Sequence, residues 1–149
     1  MTIRKVTDPD LLVRLRIDFI FDGKARPADI TPLQENLRSY FARHLAAGDF
    51  LALAAEEDGE ILSAAFLTVS EAPPRSAEPF IKGTVYNVYT YPAHRRKGCA
   101  KALMTALLTE AHAMGVTTVD LLASHDGEPL YRSLGFSDPA HRFLRLSSH

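Results

Sequence analysis

The stretch Val85-Tyr86-Asn87-Val88-Tyr89-Thr90-Tyr91-Pro92-Ala93-His94-Arg95-Arg96-Lys97-Gly98-Cys99-Ala100-Lys101 changes character at Pro92. Before it, β-branched and aromatic residues predict a strand over Val85–Tyr91. Proline cannot donate to a ladder, so the strand stops there. After it, four cations surround Gly98. Ala100, Leu103, Met104, Leu107, Ala111 and Met114 then recur at helical spacing, which predicts a helix from about Gly98 to Met114 with Gly115 as its stop. Val116–Ala123 is mostly apolar and reads as a second strand. Strand, helix, strand implies a parallel crossover, with the basic turn at the helix N-terminus.

That placement has chemical meaning. The first N–H groups of a helix lack intrahelical acceptors, and the helix dipole adds positive potential there. Gly98 lets a ligand approach the backbone, and small Ala100 keeps the first turn open. Arg95, Arg96, Lys97 and Lys101 add charge at the mouth, so the turn suits a pyrophosphate. It is not a Walker A loop, because Gly-Lys-[Ser/Thr] is missing. Nor is it the dinucleotide fingerprint, because no G-x-G-x-x-G follows an early strand.

Working outward, Thr2–Val6 reads as a short strand. Asp8-Pro9-Asp10 is a helix start, and Leu11, Leu12, Leu15 and Phe19 form one face of a helix ending near Asp22-Gly23. After a polar segment over 24–30, Thr31-Pro32-Leu33-Gln34 fits a capping box. Leu37, Tyr40, Phe41 and Leu45 follow at helical spacing to Gly48. Phe50–Glu56 and Glu60–Val69 flank Glu57-Asp58-Gly59, a hairpin signal. Pro73, Pro74, Pro79 and Gly83 predict a loop over 71–83. A short helix is expected over Pro129–Leu134, stopped by Gly135, and a last strand over Phe143–Leu146.

The motifs on this frame resemble those of the GNAT superfamily of acetyl-CoA-dependent acetyltransferases. Arg95-x-x-Gly98-x-Ala100 matches its [Gln/Arg]-x-x-Gly-x-[Gly/Ala] signature between a strand and a long helix. Downstream, Leu122-Ala123-Ser124, Gly127 and Leu130-Tyr131-x-x-Leu134-Gly135-Phe136 form a second match in the same order. The close likeness spans about residues 84–136; the first half agrees only in element order. The resemblance implies an α/β (α+β) fold: a mostly antiparallel central sheet with one parallel, splayed strand pair and flanking helices, residues 1–149 forming one domain.

The resemblance also implies a division of labour. The backbone of Val88, Tyr89 and Thr90 would bond the pantetheine arm as a neighbouring strand does. The N–H groups from Arg96 to Lys101, through Lys97, Gly98, Cys99 and Ala100, would hold the pyrophosphate, with Arg95 heading the signature. Ser124 would touch the cosubstrate near its pantetheine. An N–H near Val88 would polarise the thioester carbonyl, and Tyr131 would donate a proton to the leaving thiolate. The expected reaction is N-acetylation of a primary amine on a small molecule or peptide by direct attack on acetyl-CoA. Alternatives are a non-catalytic acyl-CoA sensor, or a transferase of another acyl chain or to another acceptor. Neutralising a lysine-like amine at pH 7 costs about 4.6 kcal/mol, against about 1 for an α-amine. No base is assigned: Asp22, Glu35 and Glu71 are candidates, as is a water chain anchored by Asn87. Among the aromatics, Phe21 is expected as a wall of the acceptor pocket.

Composition bounds the rest. The 149 residues carry 17 basic and 18 acidic side chains, a net charge of −1, and are 46% hydrophobic. Such a balance fits a globular domain and argues against a nucleic-acid binder that relies on overall charge. The one cysteine, Cys99, excludes an internal disulfide. Its place at a helix start beside cations predicts sensitivity to oxidants. The six histidines lack metal-ligand spacing, so no metal is expected. No leader or membrane-spanning run is visible, giving a cytoplasmic expectation with no membrane partner. The resemblance also allows a homodimer through late strands.

Overall fold

A computed structural model describes residues 1–148. The elements run β1 (Thr2–Lys5), α1 (Pro9–Ile20), α2 (Thr31–Ala47), β2 (Phe50–Glu57), β3 (Glu60–Ala72), β4 (Phe80–Thr90), a 3-10 turn over Pro92–His94, α3 (Cys99–Ala113), β5 (Thr118–Asp120) and α4 (Glu128–Ser133). The sheet order is β1-β2-β3-β4-β5. The first three pairings are antiparallel and β4–β5 is parallel. This is the mixed α/β architecture that the motifs imply. No helix among the described residues is long and apolar enough to cross a membrane.

Strand periodicity divides the core in two. Phe50, Ala52 and Ala54 of β2 meet α1 and α2, together with Phe66, Phe41, Leu12 and Leu15. The alternate residues Leu51 and Leu53 meet α3, with Leu67, Val85, Leu103, Met104 and Leu107. Phe41, Phe50 and Phe66 pack at steep angles, tilted or edge to face, with centroids 5.2–5.7 Å apart. Burying each such ring contributes about 1.5–3 kcal/mol.

Local rules explain the boundaries. The Asp8 carboxylate accepts from the Asp10 N–H at 3.0 Å and caps α1. The β2–β3 turn places Asp58 (φ 51°) and Gly59 (φ 78°) both in the left-handed region, as a tight hairpin requires. The capping box expected at Thr31 does not form: the Thr31 N–H bonds Asp29 at 3.0 Å, so the acceptor lies two residues earlier.

Four further expectations are corrected. The loop over 71–83 shrinks to 73–79, because Glu71 pairs with Ile81 and Ala72 with Phe80. Gly83 is a strand residue: a Cβ there would come within 3.0 Å of Leu67 and 3.1 Å of Val116, so its smallness serves packing. The strand expected over Val116–Ala123 keeps only Thr118–Asp120. The strand expected over Phe143–Leu146 is absent, and Phe143, Leu144 and Leu146 are exposed.

Candidate active site

β4 is knitted to β3 along its length but to β5 only through Lys82–Thr118, Gly83–Val119 and Thr84–Asp120. Past Thr84 the second edge of β4 has no partner strand among the described residues up to Thr90. The β3 ladder also breaks there: Tyr86 faces Phe66, the next paired residue is Tyr89 opposite Ala64, and Asn87 and Val88 share the space of one residue. This is a bulge, with Asn87 at φ 61°. Asparagine tolerates that conformation better than the flanking Tyr and Val would.

Beyond Thr90 the chain turns at Pro92 and reaches α3 through Arg96 (φ 63°) and Gly98 (φ 80°), both left-handed. Among the described residues, the N–H groups from Arg96 to Lys101 find no backbone or side-chain acceptor. The first bond past the turn is Ala102 N–H to Gly98 O, at 3.1 Å. Thr90, Arg95, Arg96, Gly98, Ala100 and Leu130 help line a concavity of about 200 Å³ at this point. A larger hollow, about 410 Å³, lies on the outer side of α3 and has no Lys or Arg in its lining.

The predicted cations divide. Arg96, Lys97 and Lys101 are exposed around the turn. Arg95 instead ties strand to helix: its Nε donates to Thr90 O at 2.8 Å, its Nη2 to Asp22 at 3.3 Å, and its guanidinium lies 5.5 Å from the Tyr89 ring centre. Asp22 also accepts from the Tyr89 hydroxyl at 2.9 Å. Asp18, one turn earlier, accepts from the Tyr91 hydroxyl and from Arg26. Burial, then the Asp18 bond, pushes the Tyr91 phenol well above its usual value. Thr90 shares a 2.9 Å hydrogen bond with buried Ser63, and Val88 packs against the α3-side core. Cys99 is buried, which shields its thiol.

Ser124, Gly127 and Tyr131 come together beyond β5. The Gly127 N–H donates to Ser124 Oγ at 3.1 Å, and a Cβ on Gly127 would come within 2.9 Å of the Tyr131 ring. Tyr131 is 8% exposed, and burial raises its phenol pKa. It shares the α3-side core with Val88. No group of three His, Cys, Asp or Glu residues suited to a metal occurs among the described residues.

Sequence reading missed Arg16. It is half-buried on α1, and its Nη1 donates to Asn87 Oδ1 at 3.3 Å. Its position between Leu12, Leu15 and Phe19 on the apolar face was the available signal. Phe21, expected as a pocket wall, is half-buried against the α1/α2-side core. Phe19 is the exposed ring beside Tyr89.

The profile of the acetyltransferase (GNAT) domain matches residues 48–138. A predicted acetyltransferase of Clostridium acetobutylicum, solved with acetyl-CoA, is 31% identical over 98% of this chain and 95% of its own, with a TM-score of 0.84. A GCN5-related N-acetyltransferase from Ralstonia eutropha JMP134 is 27% identical over 97% of each chain, with a TM-score of 0.78. The fold is shared with glucosamine-6-phosphate N-acetyltransferase from Arabidopsis thaliana, at 19% identity over 97% of each chain and a TM-score of 0.72. No curated protein shows significant similarity to the chain. A domain match across more than half the residues, joined to a full-length relative at 31% identity, means that this chain belongs to the GNAT family of acetyltransferases.

Proposed function

We propose that the chain is an N-acetyltransferase that moves an acetyl group from acetyl-CoA to a primary amine of a small molecule or peptide, in one displacement. One observation carries the reading: the acceptor-free N–H groups from Arg96 to Lys101 begin where the unpaired edge of β4 ends. A diphosphate fits the first feature and an amide-bearing arm the second.

The residues then take distinct tasks. Arg96, Lys97, Gly98, Cys99, Ala100 and Lys101 hold the diphosphate through their amides, and Arg95 braces the turn from Thr90. Val88, Tyr89 and Thr90 offer main-chain groups to the arm. The bulge at Asn87 and Val88 turns a backbone N–H away from the ladder, where it can meet negative charge developing on the thioester oxygen. Ser124 holds the turn at Gly127, against which the Tyr131 ring packs. A phenol is protonated at neutral pH and burial raises the Tyr131 pKa further, so the proton is in place for the departing sulfur. Asp22 is occupied by Tyr89 and Arg95, so amine deprotonation is left to a base not assigned among these residues.

Calorimetry with coenzyme A and thiol release over an amine panel test the reading. Coenzyme A is expected to bind, and Tyr131→Phe is expected to lose about 10²-fold in kcat while keeping coenzyme A affinity. No heat with coenzyme A overturns the reading. Binding without thiol release in the unaltered chain favours an acyl-CoA sensor.

A further inference from the structure

On the α1/α2 face, the acidic side chains of α1 and of its C-terminal turn each have a partner. Asp10 bonds Arg38 at 2.7 Å, Asp18 bonds Arg26 at 2.8 Å, and Asp22 bonds Arg95 at 3.3 Å. Arg16 is the contrast. It is half-buried, makes no ion pair among the described residues, and spends one of its donors on Asn87 Oδ1. Desolvation is the largest influence on its charge and works against it; the groups that favour it are the phenols of Tyr86 and Tyr40. Partial burial costs this guanidinium hydration that no carboxylate among the described residues offsets, and an anion arriving from outside would offset it.

A second, independent observation lies beside it. Asn87 is 4% exposed, and its Nδ2 is a buried donor with no acceptor among the described residues. The Arg16 bond fixes the amide's orientation, because Oδ1 must face the guanidinium. So two donors meet at the β4 bulge, both short of an acceptor. Orphaned buried donors are rare in native proteins, and each calls for a partner. The surroundings suit an organic ligand: Tyr86 stands 47% exposed above buried Phe66, and Phe19 is exposed beneath the guanidinium at 5.6 Å.

We infer that Arg16 receives an oxyanion of the acceptor, so that the acceptor is an amine carrying a carboxylate or a phosphate. This rests on the acetyltransferase reading and deepens it. Arg16 offers a planar fork that matches either anion in two parallel bonds. Asn87 is a positioning residue: it holds the guanidinium from the bulge. The exposed rings of Tyr86 and Phe19 would cover the acceptor's carbon skeleton.

The test measures thiol release from acetyl-CoA with matched amines: phenylalanine against phenylalaninamide, β-alanine against its amide, and aminoethyl phosphate against ethanolamine. In at least one pair the anionic member is expected to lead by tenfold or more in kcat/KM. The first two pairs report carboxylate and the third phosphate. Arg16→Gln is expected to collapse that ratio toward one, mainly through KM, with coenzyme A affinity unchanged by calorimetry. Arg16→Lys is expected to restore part of it. An equal or reversed preference overturns the inference, as does a ratio that survives in Arg16→Gln. So does coenzyme A binding with no panel amine acetylated. Failure of coenzyme A to bind strikes the acetyltransferase reading beneath it.

Discussion

The two edges of β4 differ over a few residues. Toward β3 it is paired from Phe80 to Thr90 with one irregularity, and behind it Ile61 to Leu67 of β3 and Phe50 to Ala55 of β2 are all buried. Toward β5 it is paired at three positions and then runs alone. The positive-φ asparagine, the orphaned amide nitrogen, the half-buried arginine and the acceptor-free turn all gather where the pairing fails or just past it. A sheet can leave backbone groups unspent only where the rest of it is knitted tightly enough to hold them in place.

That contrast can be broken most forcefully from the closed side. Phe66→Ala removes a 2% exposed ring that packs on both Phe41 and Phe50 and is expected to cost about 3–5 kcal/mol of stability in urea titrations. The open side should behave in the opposite way. Arg96→Glu with Lys97→Glu changes exposed residues, so stability should move by less than about 0.5 kcal/mol. Coenzyme A affinity should fall by about tenfold or more, and its dependence on salt should flatten, as read by calorimetry at several ionic strengths. The smallest effect sharpens the comparison at the junction. The Tyr91 phenol is raised above its unfolded value near 10, so its protonated form favours the fold. Its contribution is complete below about pH 10 and is lost as pH rises through the folded value. Tyr91→Phe should therefore cost about 1 kcal/mol at neutral pH and flatten the fall in stability above pH 10 in denaturation curves.

The parts of this molecule that follow local rules were legible in its sequence. Asp58-Gly59 announced its hairpin, Asp8 its cap, and Leu103, Met104 and Leu107 the buried stripe of α3. The glycine-bearing turn with its exposed cations at the start of α3 was legible too, because glycine and cation placement is a local matter. Pairing partners were not. Glu71 and Lys82 look like loop residues until each has a neighbour across the ladder, and Phe143–Leu146 look like a strand although none accepts them. The bulge escaped because nothing in Tyr86-Asn87-Val88 says which residue is the extra one. Arg16 escaped because a long side chain on an apolar face can still carry its charged head to water, so its spacing from Leu12 and Phe19 gains meaning only once the carboxylate is seen to be missing.

The open edge of β4 has a fixed extent. From Val85 to Thr90 it measures about 17 Å at the usual rise per residue, with the cationic turn beyond one end and the closed β5 ladder at the other. A long molecule anchored at the turn is thus metered by main chain: it can slide no deeper than Thr84, where the two strands meet. The depth of its far tip becomes a matter of counting residues, so a one-residue deletion in this span should misplace that tip even with every side chain around it kept.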